Sequence, residues 1–248
     1  VDPTRFDSNI VFAATKKGIM RSNDGGLTWK QSLKANNASY TDLSVTTSGV
    51  CFAAISSDGG GNVRGFWRST DGVNWVNITA SNFPSNHTRT LLAVYPSDEN
   101  RVYFMSLTPG SGTLDISLWK YKYLSGDGTG AGGEWENRSD GLPHQAMSLQ
   151  GGYSQALGVK PDDDNVVFVG GTNLYRSDNG FADTNETHHI GGYKIEWDES
   201  FDYRSGIHYP DQQALVFDPF DPDVLISTTD GGIHRTTDCG GLGFDWES

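Results

Sequence analysis

The nine residues from Arg21 to Trp29, RSNDGGLTW, make a self-contained turn that returns in altered form along the chain. Asp24 is placed to accept hydrogen bonds from the backbone of its own turn. Gly25 and Gly26 permit positive φ, and Trp29 carries a large ring into the next strand for burial. The copies are RSTDGVNW from Arg68 to Trp75, YRSDNGF from Tyr175 to Phe181, and HRTTDCGGLGFDW from His234 to Trp246. The turn-defining residues are Ser22, Asp24, Gly26 and Trp29; Ser69, Asp71 and Trp75; Ser177 and Asn179; and Thr236, Asp238 and Trp246.

Trp29, Trp75, Trp135, Trp197 and Trp246 set a period of roughly fifty residues, long enough for one sheet per repeat. Within each repeat an apolar strand (Leu43, Leu91, Ala156 and Ala214 begin or lie in them) leads to an acidic or prolyl turn such as KPDDDN or DPFDPD. A β-branched and aromatic strand follows, as in VCFAA or NVVFVG. A third strand then ends in a cation, at Arg21, Arg68, Lys120, Arg176 and Arg235, which predicts an ion pair with the turn aspartate. The units run approximately 1–36, 37–83, 84–143, 144–207 and 208–248. About eighteen strands are predicted, as three complete units between two partial ones. The Gly-rich stretch LSGDGTGAGGEW replaces the turn in the third unit and reads as a flexible connection, since no Gly-Lys-Ser/Thr follows to make a phosphate loop.

The repeated turn resembles the Asp-box, or BNR, repeat of sialidases, xyloglucanase-type glycosidases, sortilin-like receptors and many secreted bacterial proteins. That resemblance implies an all-β fold: a β-propeller of four-stranded antiparallel blades, here a partial ring. It places each Asp-box on the hairpin between the third and fourth strands, facing away from any active centre, so the turn aspartates are structural. The segment HYPDQQALVFDPFDPDVLISTTDGGIHRT is similar to one in surface-attached proteins of the Bacteroidetes type. Gln213 stands where a second His is usual there, which argues against a metal at His208 and Asp211. The Arg-Ile-Pro segment of sialidases and the Asp-Val-Gly-Gly segment of xyloglucanases are absent.

The connections opposite the turns then carry any chemistry. Residues entering the inner strands are Asp42, Arg89, Gln155, Asp211 and Gln213, with His208, Asp230, Tyr153 and His144 further out. Tyr40, Tyr153 and Tyr209 offer rings for stacking on sugars or anchoring a protein. Arg64, Arg89 and Arg204 are the loop cations. A hydrolase would need two carboxyl groups, about 5 Å apart for retention or about 6.5 to 9.5 Å for inversion, and Asp42, Asp211 and Asp230 are the candidates. A net charge of −13 argues against nucleic acid, and no apolar run is long enough to span a membrane. No cofactor or metal is expected. His188 and His189 alternate faces of a strand, and Cys51 and Cys239 read as free thiols. The expected function is an extracellular binding or scaffolding module for a glycan or protein ligand at the propeller mouth. Further chain or a neighbouring subunit would cover the open blade edges. The alternative is a glycoside hydrolase of the same fold.

Overall fold

A computed structural model describes residues 9–59, 63–112, 115–143, 147–194, 208–241 and 245–248. Eighteen strands lie among them, in five antiparallel sheets, with no α-helix among the described residues. The first sheet holds β1 (Val11–Thr15), β2 (Gly18–Ser22) and β3 (Lys30–Lys34). The second holds β4 (Thr41–Val45), β5 (Cys51–Ile55), β6 (Gly65–Ser69) and β7 (Val76–Asn77). The third holds β8 (Thr90–Val94), β9 (Arg101–Leu107), β10 (Ile116–Tyr123) and β11 (Gly133–Asn137). The fourth holds β12 (Ala156–Lys160), β13 (Asp163–Gly170), β14 (Leu174–Ser177) and β15 (Thr187–Gly191). The fifth holds β16 (Gln212–Phe217), β17 (Leu225–Thr229) and β18 (Gly232–Thr236). Each sheet is a meander in chain order. The chain forms two compact units, residues 1–111 with 117–136, and residues 112–116 with 137–248.

In the first unit, β5 shows why a continuous apolar run folds as a strand. Every residue of CFAAI is buried, and alternate side chains serve opposite faces. Ala53 and Ile55 pack with Ile19 and Leu33 of the first sheet, while Phe52 and Ala54 pack with Phe104 and Tyr121 of the third. The Phe66 and Phe104 rings stack with centroids 4.3 Å apart. In the second unit, Phe168, Leu174 and Ile190 of the fourth sheet meet Leu225, Cys239 and Trp246. Cys51 and Cys239 are free and buried, and burial pushes the Cys239 thiol up to about 12.

The repeated turns share one wiring. Ser22 Oγ donates to Asp24 (2.7 Å) and accepts the Gly26 N–H (2.9 Å), and Asp24 accepts the Thr28 N–H (2.8 Å). Ser69 and Asp71 repeat this, with Asp71 taking the N–H groups of Val73 (2.8 Å) and Asn74 (2.7 Å). Asn179 works through its amide oxygen, accepting from Ser177 (2.9 Å) and Ala182 (3.1 Å). Thr236 accepts the Asp238 N–H at 3.3 Å.

Two sequence expectations are corrected here. Trp29 is 39% exposed rather than buried, and its indole N–H bonds within its own turn to Gly26 O (2.9 Å). Three other closing tryptophans reach back to the preceding repeat: Trp75 to Ser32 Oγ (2.8 Å), Trp135 to Ile78 O (2.7 Å) and Trp246 to Ile190 O (2.8 Å). Trp29 immediately precedes β3 of the first sheet and has no such acceptor among the described residues. Trp197 lies outside the described residues. The second correction concerns the cations. Arg68 sits 3.9 Å over the Tyr123 ring of the next sheet, and Arg176, which does pair with Asp178 in its own turn (2.8 Å), also bonds the carbonyls of Cys239 (3.1 Å) and Gly241. Asp24 and Asp71 are already occupied by donors of their own turns, whereas ring faces and carbonyls of the neighbouring repeat are not.

The Gly-rich loop of the third sheet is held rather than loose. Tyr121 Oη donates to Gly128 O (2.8 Å), Tyr123 Oη to Gly126 O (3.0 Å), and Asp127 accepts the Thr129 N–H (2.9 Å).

Candidate functional site

In the second unit, the connections opposite the turns gather a group of carboxylates, phenols and amides. Asp211 opens β16 from a backbone with φ of 65°, and its N–H is anchored on Thr172 O (3.0 Å). Its carbonyl receives the Asp230 N–H (3.2 Å), which brings the β17–β18 corner beside it. Asp230 accepts the Tyr153 hydroxyl on both oxygens (3.2 and 3.3 Å) and Gln213 Nε2 (3.0 Å). Tyr153 is 57% exposed and Tyr209 37% exposed, so both rings face solvent. A side chain at Gly231 would collide with the Tyr209 ring, so the corner needs glycine there.

The electrostatics follow from this crowding. Burial, then the neighbouring Asp230 charge, raises the Asp211 carboxyl, and Ser154 and Gln150 offset part of that. The Asp230 charge and its hydrogen bond raise the Tyr153 phenol. Burial, then Asp211, Tyr209 and Asp230, raise Tyr193. Tyr193 thus belongs to the group, although the sequence shows it only as part of an insertion. Its position comes from a bond between its N–H and Asn173 Oδ1 (2.6 Å). Gln150 and Ser154 were likewise not legible; the only signal was their closeness to Tyr153 in chain order.

Other expected site residues lie elsewhere. His208 is fully buried, its ring 4.6 Å from that of His234 and 4.3 Å from that of Trp246, so it contacts neighbouring rings and not solvent. Desolvation, then the charges of His234 and His189, lowers its pKa to about 3. Gln155 is also fully buried, because the residue entering β12 turns inward. Tyr40, Asp42 and Arg89 belong to the first unit. There Asp42 Oδ1 accepts its neighbour's N–H at Leu43 (2.9 Å) and Oδ2 that of Leu92 (3.2 Å), so the carboxylate ties β4 to β8. Burial raises its pKa, with these bonds and Arg89 opposing. Tyr40 is 38% exposed. His144 and Arg204 lie outside the described residues.

Among the described residues one group has metal-ligand spacing: Asp178, Glu186 and His188. Asp178 already pairs with the buried Arg176 (2.8 Å to Nε), and a guanidinium competes directly with a cation.

No protein-family model matches the chain, and no curated protein matches it. Solved structures do. A GH74 enzyme from Niastella koreensis is 19% identical with a TM-score of 0.60, over 99% of this chain and 37% of that one. The GH74 xyloglucanase of Xanthomonas campestris is 18% identical with a TM-score of 0.58, over 96% and 36%. PorZ, a bacterial surface component of the type-IX secretion system of Porphyromonas gingivalis, is 13% identical with a TM-score of 0.54, over 97% and 33%. The chain thus spans about a third of the length of these proteins. At such identities the likeness establishes fold: an all-β protein of antiparallel propeller blades.

Proposed function

We propose that the chain is an extracellular binding module of the propeller class that holds a glycan at the Tyr153, Tyr209, Asp211 and Asp230 group. The observation that carries this is the hydrogen bonding of Asp230 by Tyr153 and Gln213 beside two solvent-facing rings. Rings stack on the apolar faces of sugars, and carboxylates and amides accept and donate to hydroxyls. The likeness to glycoside hydrolases and to a bacterial surface protein supports a carbohydrate ligand and an extracellular location. The test is a glycan array with wild type and Tyr153→Ala. Loss of the array signal in the variant supports the reading, and an unchanged or absent signal overturns it.

A second reading is a glycoside hydrolase in which Asp211 donates a proton. It is favoured by the raised Asp211 carboxyl beside the hydrogen-bonded Asp230. A hydrolysis screen on plant and host polysaccharides separates the two: under this reading Asp211→Asn loses turnover and keeps binding, whereas a binding module has no turnover to lose.

A further inference from the structure

We propose that the first unit carries a separate site for an acidic sugar, a pyranose bearing a carboxylate, with Arg64 as its anchor. A cavity of about 400 Å³ opens at the end of the second sheet opposite the Ser69 turn, between Arg64–Gly65 at the start of β6 and the β7–β8 connection. Its wall combines Arg64, Asn77, Ser81 and Ser85 with the apolar Phe83 and Pro84. That size falls at the small end of ligand pockets, about 300 to 1,000 Å³, and suits one sugar ring.

The wall is built in advance of any ligand. Gly65, at φ of 103°, lets the Phe66 N–H reach Thr79 Oγ1 (2.7 Å), and any side chain at Gly65 would strike Thr79. The buried His87 faces the Ile55 carbonyl through Nε2 (3.0 Å) and the Pro84 carbonyl through Nδ1 (3.3 Å), and its ring meets Phe83 edge-on at 5.2 Å. A second cavity of about 300 Å³ shares Asn77, Thr79 and Ser81 and extends to Trp135, where a ring is offered to a neighbouring sugar.

Arg64 supplies the charge preference. Arg101, Arg176 and Arg235 each pair with a carboxylate, at 3.0, 2.8 and 3.4 Å, and Arg68 covers a ring. Arg64 is exposed, and among the described residues no carboxylate lies within ion-pair distance of it. Its planar fork matches a carboxylate through two parallel hydrogen bonds, while the Ser81 and Ser85 hydroxyls of the wall match a polyhydroxylated ring. This inference does not rest on the Tyr153 group, whose carboxylates would repel the same ligand.

The experiment is calorimetric titration of glucuronic acid, glucose and inorganic sulfate into the full chain at low salt, with wild type, Arg64→Ala and Tyr153→Ala. Expected are glucuronate binding about ten-fold or more tighter than glucose or sulfate, weakening with added salt, and an about ten-fold loss in Arg64→Ala with none in Tyr153→Ala. Matched thermal unfolding of Arg64→Ala confirms that the exposed substitution leaves the fold intact. Glucose or sulfate binding as tightly as glucuronate, glucuronate binding unchanged by Arg64→Ala, or no glucuronate binding overturns the proposal. The Tyr153 reading is judged on neutral glycans, whose array signal Tyr153→Ala should lose, and this one on glucuronate, whose binding Tyr153→Ala should keep, so the two readings fail separately.

Discussion

The indole N–H of Trp246 donates to the carbonyl of Ile190 at 2.8 Å, joining the last turn of the second unit to the outer strand of the preceding sheet. From the other side, the Arg176 guanidinium reaches forward to the carbonyls of Cys239 and Gly241 in that last turn. Neighbouring sheets are therefore fastened in both directions, and the fastening is buried: Trp246 is 3% and Arg176 1% exposed.

Removing the tryptophan should be costly where it is buried and cheap where it is not. Trp246→Phe keeps the ring volume in part but strands the Ile190 carbonyl, for about 1 to 3 kcal/mol. Trp246→Ala adds a cavity, for about 3 to 5 kcal/mol. Trp29→Ala should cost under about 1 kcal/mol, because its bond lies within its own exposed turn. Urea unfolding of the three variants gives the order directly.

Arg176 should resist conservative replacement. Arg176→Met leaves Asp178 without its guanidinium and the carbonyls of Cys239 and Gly241 without their donor, for a loss of about 3 to 5 kcal/mol. Arg176→Lys should recover little, since an ammonium cannot bridge Asp178 and both carbonyls with one planar fork. Equal stability of the lysine variant and wild type would contradict this account.

His208 gives the protein an acid limb. Its folded pKa, about 3, lies below the unfolded value of 6.5, so the native state holds the neutral ring. Stability from this group is fully present above pH 6.5 and is lost as pH falls toward 3. The slope is about 1.4 kcal/mol per pH unit. His208→Phe, which keeps a ring against His234 and Trp246, should flatten that slope. Unfolding free energies measured at pH 7, 6, 5 and 4 compare the two proteins.

The turn aspartates act as acceptors, and Asn179 already performs the role without charge. Asp71→Asn should therefore lose less than Asp71→Ala, which costs about 1 kcal/mol. The pKa of Asp71 is lowered to about 2, most by the Asn74 N–H, with burial opposing and the Val73 N–H and Asn74 side chain adding. The charge-dependent part of its stabilisation is present above pH 3.8 and disappears as pH falls through 2. Thermal unfolding of Asp71→Asn and wild type should converge over that window.

The residues that were legible in the sequence are those whose partners are near in the chain. Asp24 finds its donors within four residues, and the apolar run of β5 marks a strand buried on both faces, so turn and strand could be read from residue order alone. The same order could not separate His208 from Tyr209, adjacent residues of which one is buried between rings and the other faces solvent. Nor could it show that Trp29 lacks the acceptor that Trp75 has, that Tyr193 joins Asp211, or that Arg64 opens onto a cavity. Hydrogen bonds inside a turn are local and survive in any context, whereas burial depends on which sheet lies against which face. Only the packing of successive sheets decides that.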